Sequence, residues 1–137
     1  MKLGCARVLT GLLITSAIVL AGCQGDDGPA TYQVKGKVTY KGTGAPVTAG
    51  TVLFESTADS KIQASGDIQP DGTFELGSNL GKPGTVEGEH RVLVEPPRPE
   101  YGEKAAVANK YARFESSNLK ATVKPDNSNT VTIEIEK

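Results

Sequence analysis

The sequence of 137 residues predicts an all-β domain, a seven-stranded antiparallel sandwich over residues 31–137 that follows an N-terminal leader. Three observations point there. From Thr31 onward, apolar residues recur at every second position, the period of a half-buried strand. Glycine and proline punctuate the alternating runs at short intervals. The composition (16 Gly, 8 Pro, three Phe, four Tyr and no Trp) suits many turns around a core of small aliphatics. A domain of this size buries roughly 65% of its unfolded surface, enough to fold without a disulfide or a metal.

The strands follow in order. In TYQVKGKVTY the even positions Tyr32, Val34, Gly36, Val38 and Tyr40 form one face and the odd positions are polar. KGTGAPV is a turn. GTVLFES places Val52 and Phe54 together, and KIQASGDIQP does the same with Ile62, Ala64 and Ile68. Pro70-Asp71-Gly72 turns the chain into a strand carrying Phe74 and Leu76. GEHRVLVEPP directs Val92 and Val94 inward, LKATVK presents Leu119, Ala121 and Val123, and NTVTIEIEK presents Val131, Ile133 and Ile135. Seven alternating strands in about 107 residues suit a two-sheet sandwich. One segment has a different period: in residues 103–114, Val107, Tyr111 and Phe114 stand at i, i+4 and i+7, the spacing of one or two helical turns.

The two cysteines, Cys5 and Cys23, both precede the domain, so its fold does not rest on disulfides. Met1 to Arg7 carries Lys2 and Arg7 and no acid, and Val8 to Leu20 is a largely apolar run of 13 residues. That is the length of a secretory signal core and shorter than the ~20 residues of a relaxed membrane span. Leu20-Ala21-Gly22-Cys23 resembles the bacterial lipobox, an aliphatic residue, a small residue, Gly or Ala, then Cys. The resemblance implies cleavage before Cys23, diacylglycerol on its thiol and acylation (palmitate or a similar chain) of the new amino terminus. At about 0.8 kcal/mol per buried methylene, two or three chains hold a small protein on a membrane. The expected organisation is a lipoprotein signal peptide over 1–22, a lipidated Cys23 with a flexible tether over 23–30 (QGDDGPA from Gln24), and the sandwich over 31–137. Gln24 stands where enterobacterial lipoproteins retained in the inner membrane carry Asp, so the resemblance favours the outer membrane. Without the leader, 13 basic residues face 16 acidic ones; this mildly acidic body offers nucleic acid no basic surplus.

The body as a whole resembles small exported proteins with a carboxypeptidase regulatory-like domain, an Ig-like or prealbumin-like (transthyretin-like) sandwich common in lipoproteins of planctomycete-type bacteria. The resemblance runs through GKVTYKGTGAPVTAGTVLF, SGDIQPDGTFEL, KPGTVEGEHRVLVEP and NKYARFESSNLKATVK. His90 stands where that group usually has an aromatic residue, and Ala108 where proline is frequent. The resemblance implies an accessory, binding or structural module rather than peptidase chemistry.

The residue inventory argues against catalysis and metal binding. One histidine and no cysteine in the body cannot assemble a usual zinc or copper site, and a Ser-His-Asp triad would have to use His90 without a Gly-x-Ser-x-Gly elbow. By alternation His90 shares a face with Val92 and Val94 and reads as a partly buried packing residue. Transthyretin-related hydroxyisourate hydrolases use several histidines and a Tyr-Arg-Gly-Ser terminus, both missing here, and intradiol dioxygenases need two histidines. Asp67 and Asp71-Gly72 read as a β-turn, since a calcium loop needs more oxygens and a distal Glu. Tyr111 is either a binding aromatic or a core tyrosine whose hydroxyl pins the crossover; the second reading fits its pairing with Phe114.

The segment PPRPEYGE, Pro96 to Glu103, is stiffened by three prolines. It makes Arg98 and Tyr101 candidates for contacting a partner, because loops on a rigid sandwich are where binding tends to sit. The expected protein is therefore a non-enzymatic, lipid-anchored module of the cell envelope with no catalytic residues, metal or cofactor. Its expected partners are the membrane, through Cys23, and an envelope protein or glycan. The alternative is a carbohydrate or small-ligand binding module of the periplasm or cell surface.

Overall fold

A computed structural model describes residues 28–97 and 107–137. Among these residues eight strands form two sheets. The smaller has the order β4-β1-β8 and the larger β5-β3-β2-β6-β7, where β1 is Val34–Tyr40, β2 Thr51–Ser56, β3 Gln63–Asp67 and β4 Thr73–Glu75. The others are β5 Gly77–Ser78, β6 Gly88–Glu95, β7 Leu119–Val123 and β8 Asn129–Ile135. The chain is a β-sandwich, as the alternation predicts. The inward residues of both sheets fill one core: Val34, Val38, Val52, Phe54, Val92, Val94 and Ile135 are all fully buried. Phe54 lies at its centre, its ring 6.3 Å from that of Phe74 and 5.9 Å from the imidazole of His90.

Two strand assignments differ from the sequence reading. The eighth strand, β5, has only two residues, too few to display an alternation. It arises because the chain changes sheets at Leu76, whose N–H bonds the Val34 carbonyl of the smaller sheet at 3.0 Å and whose carbonyl accepts from Gly84 at 2.7 Å. The sandwich is also not wholly antiparallel. β8 runs parallel to β1 in a continuous register from Val34 opposite Asn129 to Tyr40 opposite Ile135, while every other strand pair is antiparallel. Alternation specifies which face a residue takes and is blind to strand direction. Here direction follows from the arch over 124–128, which carries the chain from the end of β7 in one sheet to the start of β8 in the other.

The helical segment is shorter than its spacing suggests and lies further along the chain. Asn109–Ala112 forms a 3₁₀ turn and Phe114–Ser117 a single α-turn, α1, stopped by Asn118 in the left-handed region (φ 53°); residues 103–106 lie outside the described residues. Both turns lie against β6 beyond Val92, where its pairing with β7 ends. There the Ser117 hydroxyl donates to the Val92 carbonyl at 2.5 Å. Val107 and Tyr111 are buried in the core, and Phe114 is only half-buried. No helix among the described residues is long and apolar enough to cross a membrane.

The strand directions give the sandwich two distinct ends. At one, the chain emerges from residue 28, and Tyr32 and Thr85 exchange two backbone hydrogen bonds of 2.8 and 3.1 Å. The turns over 57–62, 79–87 and 124–128 lie at this same end. The opposite end carries the 41–50 connection, the 68–72 turn and Pro96.

Candidate functional site

Cys23, Arg98 and Tyr101 all lie outside the described residues. What the structure fixes is where the proline-rich segment departs: from the end of β6, beyond Glu95 opposite Thr51, at the end of the sandwich farthest from Gly28.

His90 is fully buried, further inside than the partly buried position its strand suggests, because Thr85 and Phe54 close over it. Its Nδ1 lies 3.0 Å from the Gly88 carbonyl and therefore carries the proton, and Nε2, 3.2 Å from the Thr85 Oγ, accepts from that hydroxyl. Both ring nitrogens are thus engaged within the fold, and neither is free to act as a base or to bind a metal. Burial holds its pKa below the ordinary histidine value, with the Gly88 carbonyl opposing more weakly. A depressed pKa in the folded state means that the unfolded chain takes up the proton first. The stability contributed by the neutral ring is complete above the unfolded value of about 6.5 and is lost as pH falls below it. Urea midpoints should therefore decline between pH 7.5 and pH 5.5, and His90→Phe should flatten that decline. An equal decline in both proteins would mean that His90 is not its source.

The Asp67–Gly72 stretch holds a β-turn, as read from the sequence, and carries the chain from β3 in the larger sheet to β4 in the smaller. Gln69 and Thr73 bond through the backbone at 2.8 Å, and Gly72 takes a φ of 85° that favours glycine. Asp71 accepts from the Thr73 hydroxyl at 2.6 Å and the Thr73 N–H at 3.0 Å. These bonds hold its carboxyl below the usual range and point it into its own turn. No group of three or more His, Cys, Asp or Glu residues that could hold a metal occurs among the described residues. Tyr111 takes the structural role: its hydroxyl accepts the Glu136 N–H at 2.9 Å, tying the crossover to the end of β8.

Two arrangements were not anticipated from the sequence. The outer face of the smaller sheet is an open concavity of about 660 Å³, walled by Lys35, Lys37, Thr73, Glu75, Thr130 and Thr132 over Gly36 and Phe74. Its charges are mixed, with Lys35 3.8 Å from Glu75 in solvent, and Phe74 is buried, so no aromatic platform lines it. On the outer face of the larger sheet, Glu55 is buried and holds the Arg91 guanidinium and, at 3.0 Å, the Gln63 amide. Arg91 in turn stacks 5.4 Å over the Phe114 ring. Alternation assigns Glu55 to solvent. The signal that could have found this cluster is the register that sets Glu55 opposite Arg91, an opposite-charge pair on one face.

No family model matches this chain, and no curated protein does. Among solved structures it is similar to the major pilin subunit BcpA of Bacillus cereus, with 14% identity and a TM-score of 0.47, over 79% of this chain and 30% of the pilin. The D312A form of that pilin gives a TM-score of 0.48. It is also similar to a DUF3823 family protein from Parabacteroides merdae, with 15% identity and a TM-score of 0.45, over 80% of this chain and 47% of that one. The chain spans less than half the length of each.

Proposed function

We propose that this protein is a non-enzymatic β-sandwich module of the cell envelope, anchored by lipid on Cys23 and serving a structural or protein-interaction role, with the outer membrane as its place. The observation that carries the reading is the Leu20-Ala21-Gly22-Cys23 pattern at the end of a 13-residue apolar run that follows Lys2 and Arg7. The sandwich supports it from the other side. The sole histidine is sealed in the core with both nitrogens bonded. Asp71 is absorbed by its own turn, and the Tyr111 hydroxyl by the end of β8. The side chains that sequence reasoning singled out within the described residues are therefore committed to holding the fold. The proline-rich segment with Arg98 and Tyr101 is the candidate contact for an envelope partner.

The test is the intact mass of the mature protein expressed in a bacterial host, beside Cys23→Ser. The expected result is residues 23–137 plus acyl chains, with the acyl mass lost in the variant. An unacylated mass for the wild-type chain would overturn the anchored reading.

A further inference from the structure

We infer that the end of the sandwich from which the chain emerges is a bilayer-facing surface, with Leu80 at its point of contact with lipid. The inference rests on the anchored reading of Cys23. Gly28 stands five positions after Cys23, a reach of about 18 Å when fully extended. Pro29 is exposed and touches the domain through its carbonyl, which accepts from the Lys82 Nζ at 3.4 Å. Three residues further on, Tyr32 is locked to Thr85 by paired backbone bonds. The described chain therefore begins at this end of the domain, within the short reach of Cys23.

Leu80 is the one exposed large hydrophobic among the described residues, at 38%, and it stands at this end. Its turn runs from Ser78 to Lys82 and is closed by bonds of the Ser78 N–H and hydroxyl to the Lys82 carbonyl at 2.8 and 2.9 Å. Asn79 fixes the turn to the neighbouring 57–62 loop through the Lys61 carbonyl at 2.7 Å. The loops of this end carry Lys61, Lys82 and Lys124 against Asp59, Glu87 and Asp126. The three loops balance among themselves and the tether adds Asp26 and Asp27, a mild acidity that salt screens within about 8 Å and that a covalent lipid anchor overcomes. Contact of a single leucine would be too weak to recruit a free protein, but a tethered one meets the surface at high effective concentration. The opposite end, with Pro96 and the 41–50 connection, then faces away from the lipid and toward partners.

The body contains no cysteine, so a single introduced one can carry a fluorophore once Cys23 is acylated. Full chains with Lys61→Cys at the near end or Thr43→Cys at the far end are reconstituted in vesicles of phosphatidylethanolamine and phosphatidylglycerol containing headgroup-nitroxide lipid. The expected result is several-fold stronger quenching at position 61 than at 43, reduced by adding Leu80→Asp. Co-flotation with vesicles separates the two ways of failing. A chain that floats but quenches equally at both positions, or whose quenching at 61 ignores Leu80→Asp, overturns the lipid contact while leaving the anchor intact. A chain that does not float overturns the anchor and this inference with it.

Discussion

Gly84→Val is expected to lower stability by about 4 kcal/mol or more, at the far end of what single substitutions do. Gly84 sits at φ +76°, and a Cβ there would stand 1.8 Å from the Tyr32 carbonyl oxygen and 2.4 Å from its carbon. The left-handed conformation alone costs a non-glycine residue about 1–2 kcal/mol. The larger loss is the backbone displacement. That carbonyl accepts the Thr85 N–H at 3.1 Å while Tyr32 donates to the Thr85 carbonyl at 2.8 Å, so relieving the clash breaks the isolated bridge that closes this end. Gly42→Ala is the control: its φ is also positive, but a Cβ there meets nothing within 4 Å. Urea denaturation of the three proteins checks this. Similar losses for the two variants would mean that backbone conformation, and not the approach of Tyr32, governs the site.

Phe54→Ala is expected to cost about 3–5 kcal/mol, the range for removing a buried ring. Phe54 is fully buried in the middle of β2, and its ring meets both Phe74 of the smaller sheet and His90 of β6. Val52 in the same strand and Val92 and Val94 in β6 are β-branched and held in the sheet, so they cannot turn to fill the space. Phe54→Leu should recover about half of the loss. A cost below about 1.5 kcal/mol for the alanine variant, the range of swaps that a core readily repacks around, would contradict this rigid, ring-centred core.

The faces of the strands were legible from the sequence because a period of two is a local property. Val34, Val38, Val52, Phe54, Ala64, Phe74, Val92, Val94, Ile133 and Ile135 all point where the alternation puts them. Relations between distant strands were not legible. The parallel match of β8 with β1 and the crossing at Leu76 depend on how the connections fold back, and no residue pattern within a strand encodes that. Glu55 shows the same limit within the site. Its burial comes from Arg91, Gln63 and the α-turn at Phe114, which are 36, 8 and 59 positions away in the chain and meet it only after folding. Asp71 and Gly72, by contrast, were read correctly because a turn is decided by its own few residues.

The parallel ladder between β1 and β8 also sets the order of events in folding. The residues it joins, from Val34 with Asn129 to Tyr40 with Ile135, are separated by nearly the whole described chain. Until Asn129–Ile135 has been synthesised, β1 therefore has β4 and the short bridge to Pro46 as partners, and not its long parallel ladder. Pairings this distant in sequence form slowly because the loop they close must be ordered before any contact rewards it. The smaller sheet therefore stays incomplete until Asn129–Ile135 is made, whereas the larger sheet has all its described strands by Val123 and can pair before it.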